Sequence, residues 1–114
     1  MYFYVVEFLL RFLLWCLICK GAIPGEIGRL SKMQRLSLNG NSLSSSIPYE
    51  FAENLHGLTL LTLHDNHLTG SIPQSFENFI NMNWLYLYRN DFTGMSYRTY
   101  INVMPKQCLY IVVD

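Results

Sequence analysis

Three cysteines, three histidines and one dense run of aromatic side chains are the parts of this chain able to do chemistry. Cys16 and Cys19 form a C-x-x-C pair, the spacing of redox dithiols and of half a zinc site. They lie inside an apolar run with no second pair and no nearby His, so neither role is expected. His64 and Asp65 are the residue types of a general-base dyad, but neighbours on an extended strand point to opposite faces. His56 and His67 lack metal-ligand spacing to a second ligand pair. No G-x-S-x-G, H-E-x-x-H, glycine-rich phosphate loop, kinase signature or N-x-S/T sequon occurs. The expectation is a non-enzymatic chain with no cofactor and no metal. Recognition is the chemistry left. Trp84, Tyr86 and Tyr88 recur at every second residue with Arg89 beside them, the composition of a protein or peptide recognition surface. The plainer reading is that aromatic residues suit strands by propensity alone.

The elements that position these residues emerge from composition and self-comparison. The 114 residues are 51% apolar and 14% charged, with no net charge. Disorder requires the opposite balance, and nucleic-acid binding requires a basic excess. The length excludes a complete kinase or another large catalytic domain. Residues 2–19 carry only Glu7 and Arg11 as charges. As a helix they would reach about 27 Å, just short of the roughly 30 Å bilayer core. Residues 1–20 therefore read as an apolar helix serving as signal peptide or uncleaved signal anchor, with membrane contact through residues 2–19. A buried helix or strand of a soluble fold is the third reading. The lack of Lys or Arg before the run argues against the first.

From residue 21 the chain repeats itself. Leu30, Met33, Leu36, Leu38 and Leu43 are matched by Leu55, Leu58, Leu61, Leu63 and Leu68, then by Phe79, Met82, Leu85, Leu87 and Phe92. Asn41, Asn66 and Asn90 form one column, and Ile23-Pro24, Ile47-Pro48 and Ile72-Pro73 another. Each L-x-L pair turns both Leu to one side of a short strand. One such strand cannot bury its face alone, but stacked coils share a continuous apolar column. The Asn column satisfies backbone groups that the turn after each strand leaves facing inward. Ser45 stands where the pattern has Gly, and one extra residue between Pro48 and Leu55 is expected to bulge on the convex side. After Gly94 the Ile-Pro signature is lost. Carrying the interval from Asn66 to Asn90 forward from Phe79, Leu85, Leu87 and Asn90 lands on Val103, Leu109, Ile111 and Asp114. Residues 95–114 therefore read as a degenerate fourth coil or a β-prone tail.

These residues resemble leucine-rich repeats of the plant extracellular type, LxxLxxLxLxxNxLxGxIP, over residues 21–94. The resemblance implies an α/β solenoid with short parallel strands on its concave face and turns or 3₁₀ segments on its convex face. It also implies recognition of a protein or peptide ligand, or of a co-receptor solenoid, at the cell surface or outside the cell, in defence or developmental signalling. A secreted inhibitor of cell-wall polysaccharide hydrolases and a receptor-kinase remnant without independent function are the alternatives. Such receptors carry Cys-paired caps that are absent here, and Cys108 has no evident partner. A fragment, a truncated product or a chain docking on another solenoid is therefore expected. In the implied solenoid the concave face presents Arg35, Ser37 and Asn39; Leu60, Thr62, His64 and Asp65; and Trp84, Tyr86, Tyr88 and Arg89.

Overall fold

The computed structural model describes residues 20–93 and 110–112. Within them the chain runs through β1 (Lys20–Ala22), a 3₁₀ segment (Gly25–Arg29), β2 (Arg35–Ser37), β3 (Ser42–Ser44) and α1 (Glu50–Asn54). It continues through β4 (Leu60–Thr62), a second 3₁₀ segment (Gln74–Asn78), β5 (Trp84–Tyr86) and β6 (Tyr110–Val112). Lys20, expected to end an apolar helix, lies in a strand; residues 1–19 and the three cysteines are outside the described residues. Among the described residues no helix is long and apolar enough to cross a membrane.

The repeat becomes a solenoid because each L-x-L unit makes one short strand and the next coil copies it alongside. β2, β4, β5 and β6 form one parallel sheet in that order. Leu36 pairs with Leu61, and Leu61 with Leu85, so each column stays in register. In β2 the burial alternates exposed, buried, exposed, as period two demands of a strand with one face on a core. The apolar columns run through the stack: Leu36, Leu61 and Leu85; Leu38, Leu63 and Leu87; Leu43 and Leu68; Ile27, Phe51 and Phe76, each no more than 4% exposed. At the ends, Leu30, Met33 and Phe92 are only half-buried.

The fourth strand departs from simple counting. β6 lies parallel to β5 with Ile111 beside Leu85, where the interval from Asn66 to Asn90 would have put Leu109. The longer connection absorbs the difference, and a slip from Leu109 to Ile111 preserves the alternation of a strand because its side-chain period is two.

The convex side explains the extra residue. Pro24 and Pro73 open the two 3₁₀ segments, their carbonyls accepting from the N–H of Ile27 and Phe76. These segments close with i→i+3 bonds, from Leu30 N to Ile27 O and from Phe79 N to Phe76 O. In the middle coil one more residue separates Pro48 from Leu55, Leu55 N reaches Phe51 O and the turn is α-helical. The insertion becomes a change of helix type, with Phe51 still 0% exposed among its column-mates.

A second, unanticipated sheet follows the Asn turn, where β1 lies parallel to β3 and Ser46 bridges to Thr69. It is edged by the position where Ser45 replaces Gly. Ser45 has φ of 63°, and Gly70, one coil on, has 73°. A Cβ in this left-handed region is disfavoured. Ser45→Gly is therefore expected to stabilise the fold by about 0.5–1 kcal/mol, raising the thermal midpoint by a few degrees. A lowered midpoint in a circular-dichroism melt would refute that reading.

Candidate functional site

The sheet register sorts the variable strand residues into three cross-coil rows on the concave face. Arg35, Leu60 and Trp84 lie side by side, as do Ser37, Thr62 and Tyr86. Just beyond the strand ends, Asn39, His64 and Tyr88 continue the pattern. The first row is open: Trp84 is 39% exposed, and Arg35, Thr59, Leu60 and Trp84 line a cavity of about 250 Å³. The second row is partly spent internally. Thr62 is 7% exposed, and its hydroxyl donates to Asn39 Oδ1 at 2.9 Å. Its contribution is to hold Asn39, with little surface of its own to offer.

His64 and Tyr88 of the third row join Tyr86 of the second in a packed aromatic platform. The His64 ring stacks on Tyr88 at 4.5 Å between centroids, and Tyr86 meets it edge-on at 5.9 Å. Tyr86 and Tyr88 are themselves near-perpendicular at 6.4 Å. These are the favourable offset and T-shaped geometries. The sequence expectation that His64 and Asp65 face apart is corrected here. β4 ends at Thr62, and Asp65 takes φ of 57°, which swings its carboxylate to 3.9 Å from His64 Nε2. That spacing exceeds a hydrogen bond, and His64 Nδ1 is buried without a hydrogen-bond partner. Among the described residues no three His, Cys, Asp or Glu side chains group to hold a metal. Arg89 Nη1 donates to Asp65 Oδ1 at 3.2 Å, and its guanidinium lies 5.9 Å from the Tyr88 ring centre.

Behind the face, Asn side chains join the coils. Asn66 Nδ2 donates to Leu63 O in its own coil and to Leu38 O in the preceding one, both at 3.0 Å, while Asn66 Oδ1 accepts from Leu43 N at 3.1 Å. Asn90 repeats the set with Leu87 O, Leu63 O and Leu68 N. Asn41 donates to Leu38 O and Asn39 O of its own coil.

A family model described as Leucine Rich Repeat matches residues 32–54 and 57–79. Receptor-like protein 41 of Arabidopsis thaliana is 44% identical over 66 residues, covering 57% of this chain and 7% of that protein. Residues 32–54 and 57–79 are thus matched as leucine-rich repeats. Receptor kinase-like protein Xa21 of Oryza sativa subsp. japonica is 37% identical over 62 residues, 54% of this chain and 6% of its own length. So this chain spans under a tenth of either relative. Among solved structures, the plant peptide hormone receptor RGFR1 in complex with RGF2 is similar at 28% identity and a TM-score of 0.67, over 82% of this chain and 15% of that one. A plant ice-binding protein reaches the same TM-score at 23% identity, over 82% and 31%. The coil alone therefore assigns no ligand, and the variable face must do so.

Sequence reasoning missed the left-handed column Gly40, Asp65 and Arg89, with φ of 68°, 57° and 52°. Gly40 was its one visible signal. It is this conformation that brings the Asp65–Arg89 ion pair together across coils.

Proposed function

We propose that these coils form a ligand-binding module of a cell-surface receptor-like protein, taking an extended protein or peptide segment across the concave face in defence or developmental signalling. The observation that carries the reading is the open first row, where the exposed Trp84 ring, Leu60 and Arg35 border one cavity beside the preassembled His64–Tyr86–Tyr88 platform. Rigid aromatics next to Arg supply contact area at little ordering cost, which is what recognition anchors do. Peptide recognition by a similar solenoid, RGFR1 with RGF2, supports the class of ligand.

The test uses a library of short random peptides to select binders of the purified chain. Trp84→Ala is expected to weaken selected binders by about 30-fold, the effect of an interface anchor worth about 2 kcal/mol. Tyr86→Ala weakens them too while leaving the melting temperature nearly unchanged. Tyr49→Ala, at an exposed convex position, leaves binding alone. Binders that tolerate Trp84→Ala and Tyr86→Ala but lose affinity with Tyr49→Ala would move the site to the convex side.

A further inference from the structure

Three features of the turns that follow β4 and β5 run against stability. Asp65 and Arg89 hold left-handed backbone, with φ of 57° and 52°, where the first coil has Gly40. A side chain makes that region unfavourable. Beside them His64 Nδ1 is buried with no hydrogen-bond partner, a state that buried polar atoms seldom keep. Features retained against stability at one spot point to function.

Asp65 links the three. Its Oδ1 accepts from Arg89 Nη1 at 3.2 Å, while its Oδ2 stands 3.9 Å from His64 Nε2, beyond a hydrogen bond. One carboxylate thus faces a permanent cation and a ring that becomes a cation on gaining a proton. Their exposures differ: the side chain of Arg89 is 72% exposed and that of Asp65 39%, but that of His64 only 15%. A ligand crossing the face therefore reaches the guanidinium before the imidazole. Among the described residues, the titratable and charged groups around the imidazole are Asp65 from its own coil and Tyr86, Tyr88 and Arg89 from the next. Asn39, its row neighbour in the preceding coil, is neutral.

We propose that the concave face selects a peptide bearing a carboxylate, which takes over the Arg89 guanidinium, and that His64 gains a proton from solvent as the peptide binds. This rests on the reading of the face as a peptide-binding surface and adds the chemistry that the peptide carries. A ligand carboxylate at Arg89 draws the guanidinium from Asp65 and leaves that side chain facing His64. With Nε2–H directed at Asp65, the neutral ring has its lone pair at Nδ1, and the proton adds there. The imidazolium replaces Arg89 as the counter-ion of Asp65. Its charge lies against the face of Tyr88, 4.5 Å between centroids, where a cation is favoured. One anion arrives with one proton, so affinity rises as pH falls through the imidazole range.

Two measurements on the full chain test this. Binders are selected from random peptides with free C termini, then remade with amide side chains for each Asp or Glu, and separately with an amidated end. One of the two changes is expected to weaken a binder about tenfold and so to locate its carboxylate. The unmodified binder should lose about fivefold or more in affinity between about pH 5.5 and pH 7.5, with proton uptake seen by calorimetry in buffers of unlike ionisation enthalpy. His64→Phe, which keeps an aromatic ring in the stack, should abolish both the pH dependence and the uptake. Binders indifferent to both changes and to pH would overturn the proposal while leaving the peptide reading in place. The second measurement needs no peptide. In Arg89→Gln, shown to be folded by circular dichroism, Asp65 has lost the same cation, so the imidazole resonances of His64 should titrate at higher pH than in the parent. Adding Asp65→Asn should cancel that move. No upward move in Arg89→Gln would overturn the exchange whatever the face binds.

Discussion

Replacing Asn66 with alanine is expected to lower the melting temperature by about 10–25 °C, corresponding to about 2–4 kcal/mol in a domain of this size. The side chain is 5% exposed and does three things at once. It accepts the N–H of Leu43, whose own side chain is 0% exposed, and no water can replace that acceptor. It also donates to Leu38 O and Leu63 O, one on each side of the coil junction. Alanine leaves the Leu43 N–H orphaned, at about 1–3 kcal/mol, and removes the donor bonds as well. Asn66→Asp is expected to fare no better although it keeps the acceptor. A carboxylate has no proton for Leu38 O, Leu63 O or His64 O, and it faces all three carbonyls as an anion. A melt of either variant within about 3 °C of the parent would mean that the coils are held by their apolar columns alone.

The features legible in advance were those that repeat. Leu36, Leu61 and Leu85 announced a shared face because the same residue type returned at a near-constant interval, and burial follows residue type closely in a stacked coil. What did not repeat in residue type was invisible. Gly40, Asp65 and Arg89 share one backbone conformation through three unlike side chains, so no column showed, and the Asp65–Arg89 pair went unseen with it. Thr62 sits in a variable strand position and reads as surface, yet it is buried and its hydroxyl is bonded to Asn39. The slip at β6 was hidden for a related reason. Chain arithmetic assumes equal coils, and the stretch without Ile-Pro has no column to count from.

Leu61→Ala should show how far the coils depend on one another. Leu61 is 0% exposed and lies in register between Leu36 on one side and Leu85 on the other. Truncation removes three carbons and leaves a cavity whose walls are leucines on strands tied by backbone hydrogen bonds. Such walls relax little, so a cost of about 3–5 kcal/mol is expected, in the upper part of the range for buried leucine. A solenoid adds a second consequence. Each coil touches only its neighbours, so a weakened central junction uncouples the coils on either side. Urea unfolding of Leu61→Ala should therefore shift to lower concentration and also broaden, with a smaller slope than the parent. Leu61→Met, which conserves volume, should cost less than about 1.5 kcal/mol and keep the parent slope. A steep, single transition in Leu61→Ala would show that the coils unfold as one unit, and that the junction at Leu61 transmits no more of the cooperativity than its neighbours do.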